Sequence, residues 1–354
     1  MELHAPGLTA PSRQATFAPA PTGKAKRHIH PVFLPFQGCP GRCIYCAQDR
    51  QTGQSPLALE EMHARLHDQL SNYARQGTSL ELGFFGGTFT GLPLQWLQRF
   101  LELAREFKNR GVLERVRCST RPDFLESRKL DLLAEHDFDL VEIGVQSFDG
   151  TVLRQSQRGY TPETAVAACN RVKTFGMGLG IQLLPGLPGH TPAIWARDIE
   201  TTLSVAPECL RIYPCVVIDG TPLSRLWREG DYQPWPLSQT VRALAAALNR
   251  IEDSGIEVIR MGLPPEAGLV EAILDGPWHP ALGELIRSRA LLRRIVSHSR
   301  RLPAGPKALY LPSRRRSQVL GHHGRNLPVL ERIGLSRDRL YPWDATQCSL
   351  QALG

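Results

Sequence analysis

The sequence predicts an α/β fold with a parallel sheet, in the form of a partial (β/α)6 barrel with a small basic α/β C-terminal appendage. Short apolar runs alternate with longer amphipathic patterns through most of the 354 residues, which is typical of strand-helix units. Glycine-rich and polar motifs follow the ends of the apolar runs, where ligands gather in parallel sheets of this kind. We therefore expect the chemistry on the loops after the strands.

The predicted elements follow one another regularly along the chain. Strands are expected at 29–36, 80–85, 115–120, 140–147, 178–184 and 210–217. Helices are expected between them at 57–76, 93–109, 127–136, 162–175 and 192–205. A further helix at 236–254 precedes a strand-like run at 256–263, which would extend or close the sheet. Six strands with their crossovers suffice for a partial barrel.

Three cysteines lie on one short loop after the first predicted strand, in the sequence Cys39-Pro-Gly-Arg-Cys43-Ile-Tyr-Cys46. An iron-sulfur cluster held by three thiolates leaves one iron free for a small molecule, whereas a structural zinc site closes with four ligands. A zinc loop completed from elsewhere and a disulfide scaffold are the alternatives. A chain of this length with 8 cysteines and no secretory signal does not favour disulfides. The remaining cysteines have no ligand-like spacing and are expected to be small buried hydrophobes: Cys118, Cys169, Cys209, Cys215 and Cys348.

Polar residues also mark the later strands. After the second strand, Gly86 and Gly87 would let the backbone approach a ligand and Thr88 offers a hydroxyl, although an ordinary strand-to-helix turn is the alternative. The fourth strand contains Glu142, which needs a partner or a ligand because an unpaired buried carboxylate is costly. Other polar residues in or at the ends of strands are Ser119, Gln146 and Gln182.

The formal net charge of +8 is unevenly distributed. Residues 287–339 contain 14 Lys or Arg and two acids, so the rest of the chain is slightly acidic. A basic region of this kind favours contact with a polyanion, and a solvated basic face is the alternative. The longest apolar runs fall short of the roughly 20 residues that cross a bilayer, so no membrane contact is expected.

The chain divides into three predicted regions. Residues 1–27, rich in Ala, Pro and Thr without an apolar core, are expected to be a disordered leader, with a flexible cytosolic tail favoured over an organelle transit segment. Residues 28–263 form the core and residues 264–354 the basic region. Cysteine use fits a reducing compartment, and the predicted location is cytoplasmic.

Within the basic region, the pattern at 308–340 reads as strand, helix, GxxG turn and helix. The turn is Gly321-His-His-Gly324. This order resembles a KH-type RNA-binding segment, whose GxxG loop lets the nucleic-acid backbone pass close to peptide N–H groups. A glycine turn between two helices is the alternative. Four arginines are expected beside the turn, where phosphates would run: Arg314, Arg315, Arg316 and Arg325.

The cysteine loop, with Tyr45 before its third cysteine and the Gly-Gly-Thr motif one unit later, resembles the radical S-adenosylmethionine (SAM) superfamily. Over residues 29–262 the resemblance is strongest to the radical domain of the catalytic subunit of Elongator and its bacterial relatives. Further motifs that carry it are Thr120-Arg121-Pro122-Asp123, Glu142-Ile-Gly-Val-Gln146-Ser147 and Pro185-Gly186-Leu187-Pro188-Gly189.

The resemblance implies a 4Fe-4S cluster and SAM as cofactors. It implies that SAM is cleaved reductively to methionine and a 5'-deoxyadenosyl radical, which takes a hydrogen atom from a substrate. A reducing electron donor such as flavodoxin or ferredoxin is an implied partner. Implied cluster ligands are Cys39, Cys43 and Cys46. Implied SAM contacts are Tyr45 and the Gln182 segment at the adenine, Gly86, Gly87 and Thr88 at the amino group, Ser119 and Gln146 near the ribose, and Arg158 at the carboxylate. For Arg158 a helix-end surface position is the alternative.

Three functional interpretations stay open. The favoured interpretation is a radical SAM enzyme that acts on tRNA or other RNA, and the basic GxxG region motivates it. Since nothing between residues 264 and 354 reads as an acetyltransferase domain, acetyl-CoA-dependent modification by this chain alone is not expected. A small-molecule enzyme similar to the coproporphyrinogen oxidases, which share the motif Gly144-Val-Gln146-Ser-Phe-Asp149, is the first alternative. Gln48 disfavours it, because those enzymes usually carry another cysteine at that position. A non-enzymatic metal-containing RNA-binding protein is the second.

Overall fold

The computed structural model describes residues 13–18, 28–48 and 58–353. Their contacts divide the chain into two compact units. The barrel unit lies within residues 23–240 and 253–280, and the C-terminal unit within residues 1–22, 241–252 and 281–354. The cysteine loop and every predicted cofactor residue belong to the barrel unit.

Strands and helices are numbered in chain order. The strands are β1 Gln14–Phe17, β2 Ile29–Phe33, β3 Leu80–Phe85, β4 Leu113–Thr120, β5 Leu140–Gln146, β6 Gly178–Leu183, β7 Cys209–Ile212, β8 Val217–Ile218, β9 Glu257–Met261, β10 Ile273–Asp275, β11 Lys307–Pro312, β12 Leu340–Trp343 and β13 Cys348–Ala352. The α-helices are α1 Leu59–Arg75, α2 Leu94–Asn109, α3 Ser127–Glu135, α4 Gly150–Gln155, α5 Pro162–Thr174, α6 Pro192–Val205, α7 Pro222–Glu229, α8 Leu237–Asp253, α9 Ala267–Ala272, α10 Leu282–Ser299, α11 Arg316–Leu320 and α12 Leu327–Arg332.

The barrel unit contains a parallel sheet with the strand order β2-β3-β4-β5-β6-β7-β9. All seven residues of β5 are buried, as expected for a strand inside a parallel sheet with helices on its outer face. The run predicted at 256–263 contributes β9, which pairs with β7 and extends the sheet to seven strands. The predicted parallel α/β sheet is therefore confirmed.

The prediction of one strand at 210–217 is wrong. The structure has β7 at Cys209–Ile212 and a separate two-residue strand, β8, at Val217–Ile218. Pro214 lies between them and has no N–H to donate to a continuing ladder, which explains the interruption. Strand β8 pairs antiparallel with β10 in a sheet of its own.

Thr-Pro pairs begin three of the helices that follow strands. Helices α5, α6 and α7 each start with proline, whose fixed φ suits the first helical turn. The preceding threonine, Thr161, Thr191 or Thr221, accepts a backbone N–H three residues later at 3.2–3.3 Å. These caps define where each loop ends, and therefore where the residues at the strand ends are held.

The C-terminal unit contains a four-stranded sheet with the order β1-β13-β11-β12. Strand β1 lies inside the segment predicted to be a disordered leader, and it is ordered because it pairs with β13 and buries Phe17 in the core of this unit. Most of the remaining leader lies outside the described residues. The short helices α11 and α12 flank a 3-10 turn at His322–Gly324, so strand, helix, GxxG turn and helix follow one another along the chain.

Candidate active site

A cavity of about 550 Å³ opens at the C-terminal ends of the barrel strands. Its lining includes the three cysteines of the loop and every residue that the sequence predicts around the cofactor: Cys39, Cys43, Tyr45, Cys46, Gly86, Gly87, Thr88, Ser119, Gln146, Arg158 and Gln182. These residues come from the loops or ends of five strands and from the segment after α4. The fold thus brings the whole predicted set to one place.

The cysteine loop is fastened to the end of β3 by backbone contacts. The Gln48 side-chain oxygen accepts hydrogen bonds from the backbone N–H groups of Phe36, at 2.5 Å, and Gly87, at 3.0 Å. The Thr88 N–H donates to the Gln37 carbonyl at 2.7 Å. A Cβ at Gly87 would lie 2.2 Å from that same carbonyl oxygen, so glycine is required here for two backbone segments to meet.

Each loop thiol has its own surroundings. The Thr88 hydroxyl lies 3.2 Å from the Cys39 sulfur, and burial raises the pKa of the Cys39 thiol. Burial, reinforced by the two neighbouring cysteines, raises the pKa of the Cys46 thiol to about 12. The Cys43 sulfur accepts a hydrogen bond from the Arg158 guanidinium at 2.9 Å, with an Arg121 nitrogen at 3.9 Å.

The three loop cysteines offer sulfur donors to a metal group. Among the described residues, no three His, Cys, Asp or Glu side chains converge on one ion-sized point. A zinc ion needs its sulfur ligands at about 2.3 Å from one centre, whereas a 4Fe-4S cluster binds each thiolate through a different iron. Three thiols lining one cavity fit a cluster of this kind.

Two further features indicate that the cavity accommodates a polar ligand. The hydroxyl of Tyr45 is buried without a hydrogen-bond partner among the described residues, and burial raises its pKa well above the ordinary value. Arg158 is only 5% exposed, which excludes the alternative of a surface position. Buried polar groups of this kind are costly unless something satisfies them.

On the middle strands, hydrogen bonds and backbone geometry fix the polar side chains of the cavity wall. The Gln182 amide donates to the Ser119 hydroxyl at 2.9 Å, across strand β5, where Gly144 has no side chain to intervene. Gln146 has a φ of 68°, a left-handed conformation that non-glycine residues rarely adopt and that is found most often at functional sites. A bulge between Gly144 and Gln146 produces this geometry.

The partner predicted for Glu142 is confirmed. Its carboxylate accepts hydrogen bonds from Arg117 Nε at 2.8 Å and from two nitrogens of Arg211. Arg117 also binds Glu81 at 2.9 Å, and Arg211 donates to the Tyr213 hydroxyl at 3.2 Å. This network of two carboxylates and two guanidiniums lies on the interior face of the sheet, and Arg211 and Tyr213 reach the cavity wall.

Sequence reasoning misses the roles of three cavity residues. It marks Arg121 only as part of a motif, Arg211 only as part of a strand, and Gln48 only as a departure from a related family. The signal for Arg121 is its place at the end of β4, where the chain turns into the cavity. Nothing in the sequence indicates that Gln48 fastens the loop, because its two partners lie 12 and 39 residues away.

In the C-terminal unit, the arginines beside the GxxG turn are not equivalent. Arg314, Arg316 and Arg325 are exposed, whereas Arg315 is 4% exposed and donates to the Gln318 side chain at 2.6 Å. The expectation that Arg315 faces phosphates is therefore wrong. It packs into the unit, where burial lowers its pKa.

A groove of about 560 Å³ lies elsewhere in the C-terminal unit. Four cations and one acid line it: Arg300, Lys307, Arg332, Arg339 and Glu331. Lys307 is buried and its ammonium donates to two backbone carbonyls at 3.0 and 3.1 Å. None of the four cations forms an ion pair with a carboxylate in the part of the chain that the structure describes.

Comparison with known proteins identifies the family. The sequence model of the radical SAM superfamily matches residues 33–201, and that of the radical SAM C-terminal domain matches residues 207–291. The chain belongs to the radical SAM superfamily. The predictions of this family and of a radical SAM enzyme are confirmed, and the family implies a 4Fe-4S cluster and SAM.

Individual relatives give the same placement. The chain is 25% identical over 310 residues to a tRNA uridine(34) acetyltransferase of Methanocaldococcus infernus, covering 73% of this chain and 57% of that protein. It is 26% identical over 248 residues to Elongator complex protein 3 of Homo sapiens, covering 58% and 45%. It therefore spans about half the length of such relatives.

A solved structure shares the fold. The archaeal Elp3 of Methanocaldococcus infernus with an N-terminal deletion superposes with a TM-score of 0.58 at 19% identity, covering 76% of this chain and 64% of that one. This likeness confirms the predicted fold class.

None of the helices in the described ranges is long and apolar enough to cross a bilayer.

Proposed function

We propose that Cys39, Cys43 and Cys46 hold a 4Fe-4S cluster and that SAM binds beside it in the barrel cavity. The observation that supports this proposal is the convergence of the three loop cysteines and the eight predicted SAM-contact residues on one cavity of about 550 Å³. A cavity of this size accommodates a cofactor and part of a substrate.

When bound, this pair supplies a 5'-deoxyadenosyl radical by reductive cleavage of SAM. The residues of the chain bind and orient the two groups. Gln48 and Gly87 hold the cysteine loop against β3. Gln182 orients the Ser119 hydroxyl, which faces the ribose, and the Tyr45 ring covers the adenine side. The buried strand ends keep water away from the reacting atoms.

Substitution of the cysteines tests the ligand assignment. In anaerobically reconstituted protein, replacing any one of Cys39, Cys43 or Cys46 by alanine should abolish the visible absorbance of the 4Fe-4S cluster. Replacing Cys348, a buried thiol of the C-terminal unit, serves as the matched control and should leave the iron and sulfide content unchanged. A full cluster in any of the three loop variants would refute the assignment.

Product release tests the enzymatic activity. Dithionite-reduced, reconstituted protein supplied with SAM should release 5'-deoxyadenosine, which chromatography detects. A protein that only binds metal and RNA should release none, and that result would favour the non-enzymatic alternative.

We further propose that the substrate is RNA. The support is the activity for which the archaeal relative is named, acetylation of a tRNA uridine, together with the basic surfaces of the C-terminal unit. Phosphate contacts by exposed arginines are salt-dependent, since each contact releases counterions. The groove and the GxxG turn are two separate candidates for those contacts.

Filter binding of a labelled tRNA at several salt concentrations distinguishes the two surfaces. A groove variant with Arg300→Ala, Arg332→Ala and Arg339→Ala is compared with a turn variant with Arg314→Ala and Arg325→Ala. Substitutions on the surface that binds RNA should make the salt dependence shallower, by about 0.7–0.9 in the log-log slope for each phosphate that is no longer neutralised. Binding unchanged in both variants, or absent in the unmodified protein, would refute the RNA proposal and favour a small-molecule substrate.

A further inference from the structure

The surroundings of Arg158 differ from those of the other buried arginines in the described part of the barrel, Arg117 and Arg121. Its guanidinium donates from Nε to the Tyr160 hydroxyl at 2.9 Å, from Nη2 to the Gly144 carbonyl at 2.6 Å and from Nη1 to the Cys43 sulfur at 2.9 Å. Two of these acceptors are neutral oxygens and the third is sulfur. No carboxylate in the described parts of the chain pairs with it.

Burying a guanidinium without a neighbouring anion costs free energy. Removing a positive charge from water costs several kcal/mol, and neutral hydrogen-bond acceptors recover only part of that cost. The Cys43 sulfur is the one partner of Arg158 that becomes anionic, which happens when the thiolate binds iron. Among the groups of the chain that contact Arg158, only this thiolate, once it binds the cluster, balances the charge.

Arg121 provides the contrast within the same site. It is also buried and approaches the same sulfur, at 3.9 Å, but both Nε and Nη2 face the Asp123 carboxylate, at 3.0 and 2.8 Å. Its positive charge is thus cancelled locally. Of the two guanidiniums next to Cys43, only Arg158 presents an uncompensated charge.

We propose that Arg158 is a positioning residue for the Cys43 thiolate and that its uncompensated charge raises the reduction potential of the cluster. This inference rests on the proposed function, since it assigns a role to a residue beside a cluster that the three cysteines hold. Adding one electron makes the cluster more negative, and a buried positive charge at hydrogen-bond distance from a ligand sulfur stabilises that reduced state.

The orientation of Arg158 does not depend on SAM. The Tyr160 hydroxyl, which accepts from Arg158, lies 2.9 Å from the backbone carbonyls of both Gly144 and Val145 and shares its one proton between them. The end of β5 therefore holds the guanidinium. Two N–H groups remain after these bonds and can reach a carboxylate. The effect on the cluster should therefore exist before SAM binds, and this separates it from a role in SAM recognition alone.

A redox titration of the SAM-free cluster, followed by electron paramagnetic resonance, tests the proposal in the full-length reconstituted protein. Arg158→Gln should lower the ratio of reduced to oxidised cluster about tenfold at a fixed potential, which is 59 mV for a one-electron couple. Arg158→Lys keeps the charge and should lie between this variant and the unmodified protein. The matched control is a double variant, Arg121→Gln with Asp123→Asn, which removes a locally neutral ion pair and should change the ratio about twofold or less.

The possible results separate the two levels of the proposal. An unchanged potential in both Arg158 variants, with weaker SAM binding in equilibrium dialysis, would overturn the inference and leave the proposed function intact. An equal shift in the double variant, Arg121→Gln with Asp123→Asn, would overturn the charge argument. If the unmodified protein assembles no 4Fe-4S cluster, the proposed function fails and the inference fails with it. If Arg158→Gln does not fold, the reduction potential of the Arg158→Lys cluster decides. A potential below that of the unmodified protein supports the proposal, and an equal potential overturns it.

Discussion

Two buried arginine sites in the described part of the barrel balance their charges in opposite ways. In the first, Arg117 and Arg211 are matched by Glu142 and Glu81, so two positive and two negative charges satisfy one another inside the sheet. In the second, Arg158 lies against Cys43 with no acid in the described chain to balance it. We call the first site the closed network, because protein carboxylates balance its positive charges. We call the second the open site, because an anion that the protein binds must balance the charge of Arg158.

Burial alone does not separate structural from functional arginines. Arg117 and Arg158 are both 5% exposed, yet their partners differ in charge. A closed network contributes to the stability of the fold in every state of the protein. An open site makes stability depend on what is bound, because binding supplies the missing charge. The comparison predicts different responses to substitution at the two sites.

The largest effect is expected at the closed network. Glu142→Gln removes the carboxylate that both Arg117 and Arg211 contact, and breaking a buried pair in this way costs about 3–5 kcal/mol. Chemical denaturation of the cluster-free protein measures the loss. Glu208→Gln is the matched control, because Glu208 pairs with Arg115 at a half-exposed position and should cost less than about 1 kcal/mol. Equal losses in both variants would contradict the closed design.

Substitution of Gly87 tests how closely the cysteine loop must pack against the end of β3. Gly87→Ala should cost about 1–3 kcal/mol and reduce cluster assembly, because the new Cβ would lie 2.2 Å from the Gln37 carbonyl and displace the cysteine loop. Iron content and denaturation measure the two effects. Gly77→Ala separates strain from contact, since Gly77 also has a positive φ but has nothing within 4 Å of the added atom. Full iron content in Gly87→Ala would show that the loop tolerates displacement.

At the open site itself, substitution should have a smaller effect on the cluster-free protein. Arg158→Gln loses hydrogen bonds but also removes a desolvated charge, so we expect a change of about 1 kcal/mol or less in the free energy of unfolding. Denaturation of cluster-free and cluster-loaded protein measures it. The loss should be larger in the loaded form, and a loss comparable to that of Glu142→Gln in the cluster-free form would remove the distinction between the sites.

The smallest effect concerns pH at the closed network. Burial, followed by the nearby Glu142 charge, raises the pKa of Cys209 to about 12 from an ordinary value of 9.0. Above pH 9 the unfolded chain loses this proton and the folded chain keeps it, so stability falls as the pH rises from about 9 towards 12.

Between pH 8 and pH 10, the free energy of unfolding should fall by about 1 kcal/mol less in the Cys209→Ala and Cys209→Ser variants than in the unmodified protein. Denaturation of the cluster-free variants at the two pH values measures this difference. The two replacements should agree, since neither carries a thiol. A pH dependence identical to that of the unmodified protein would show that Cys209 does not contribute.

Much of the barrel can be predicted because its signals are local. Apolar periodicity, with proline or threonine at the helix starts, places the strands at 80–85 and 140–147 and the helices between them within a few residues. The expectation that the cysteines outside the loop are buried is confirmed for all five. The prediction at 210–217 is wrong because the apolar pattern of that run outweighs the missing N–H of Pro214.

The sequence predicts which residues belong to the candidate site. The sequence places the cysteines and the glycine pair after strands and names Arg158 farther along the chain, and the structure gathers them around one cavity. Which of them touch cannot be predicted, since Arg158 and Cys43 are 115 residues apart. The glycine pair is expected to approach a ligand, while at Gly87 the close approach is to the backbone of the cysteine loop.

The amino-acid sequence by itself determined the three-thiol loop, the alternation of strands and helices, and the need of Glu142 for a partner, because each depends on neighbouring residues or on the cost of burying a charge. Only the tertiary structure decided that Arg117 and Arg211 supply that partner and that Arg158 is left for the Cys43 sulfur. Such pairings depend on strand order and register, which bring together side chains from distant parts of the chain.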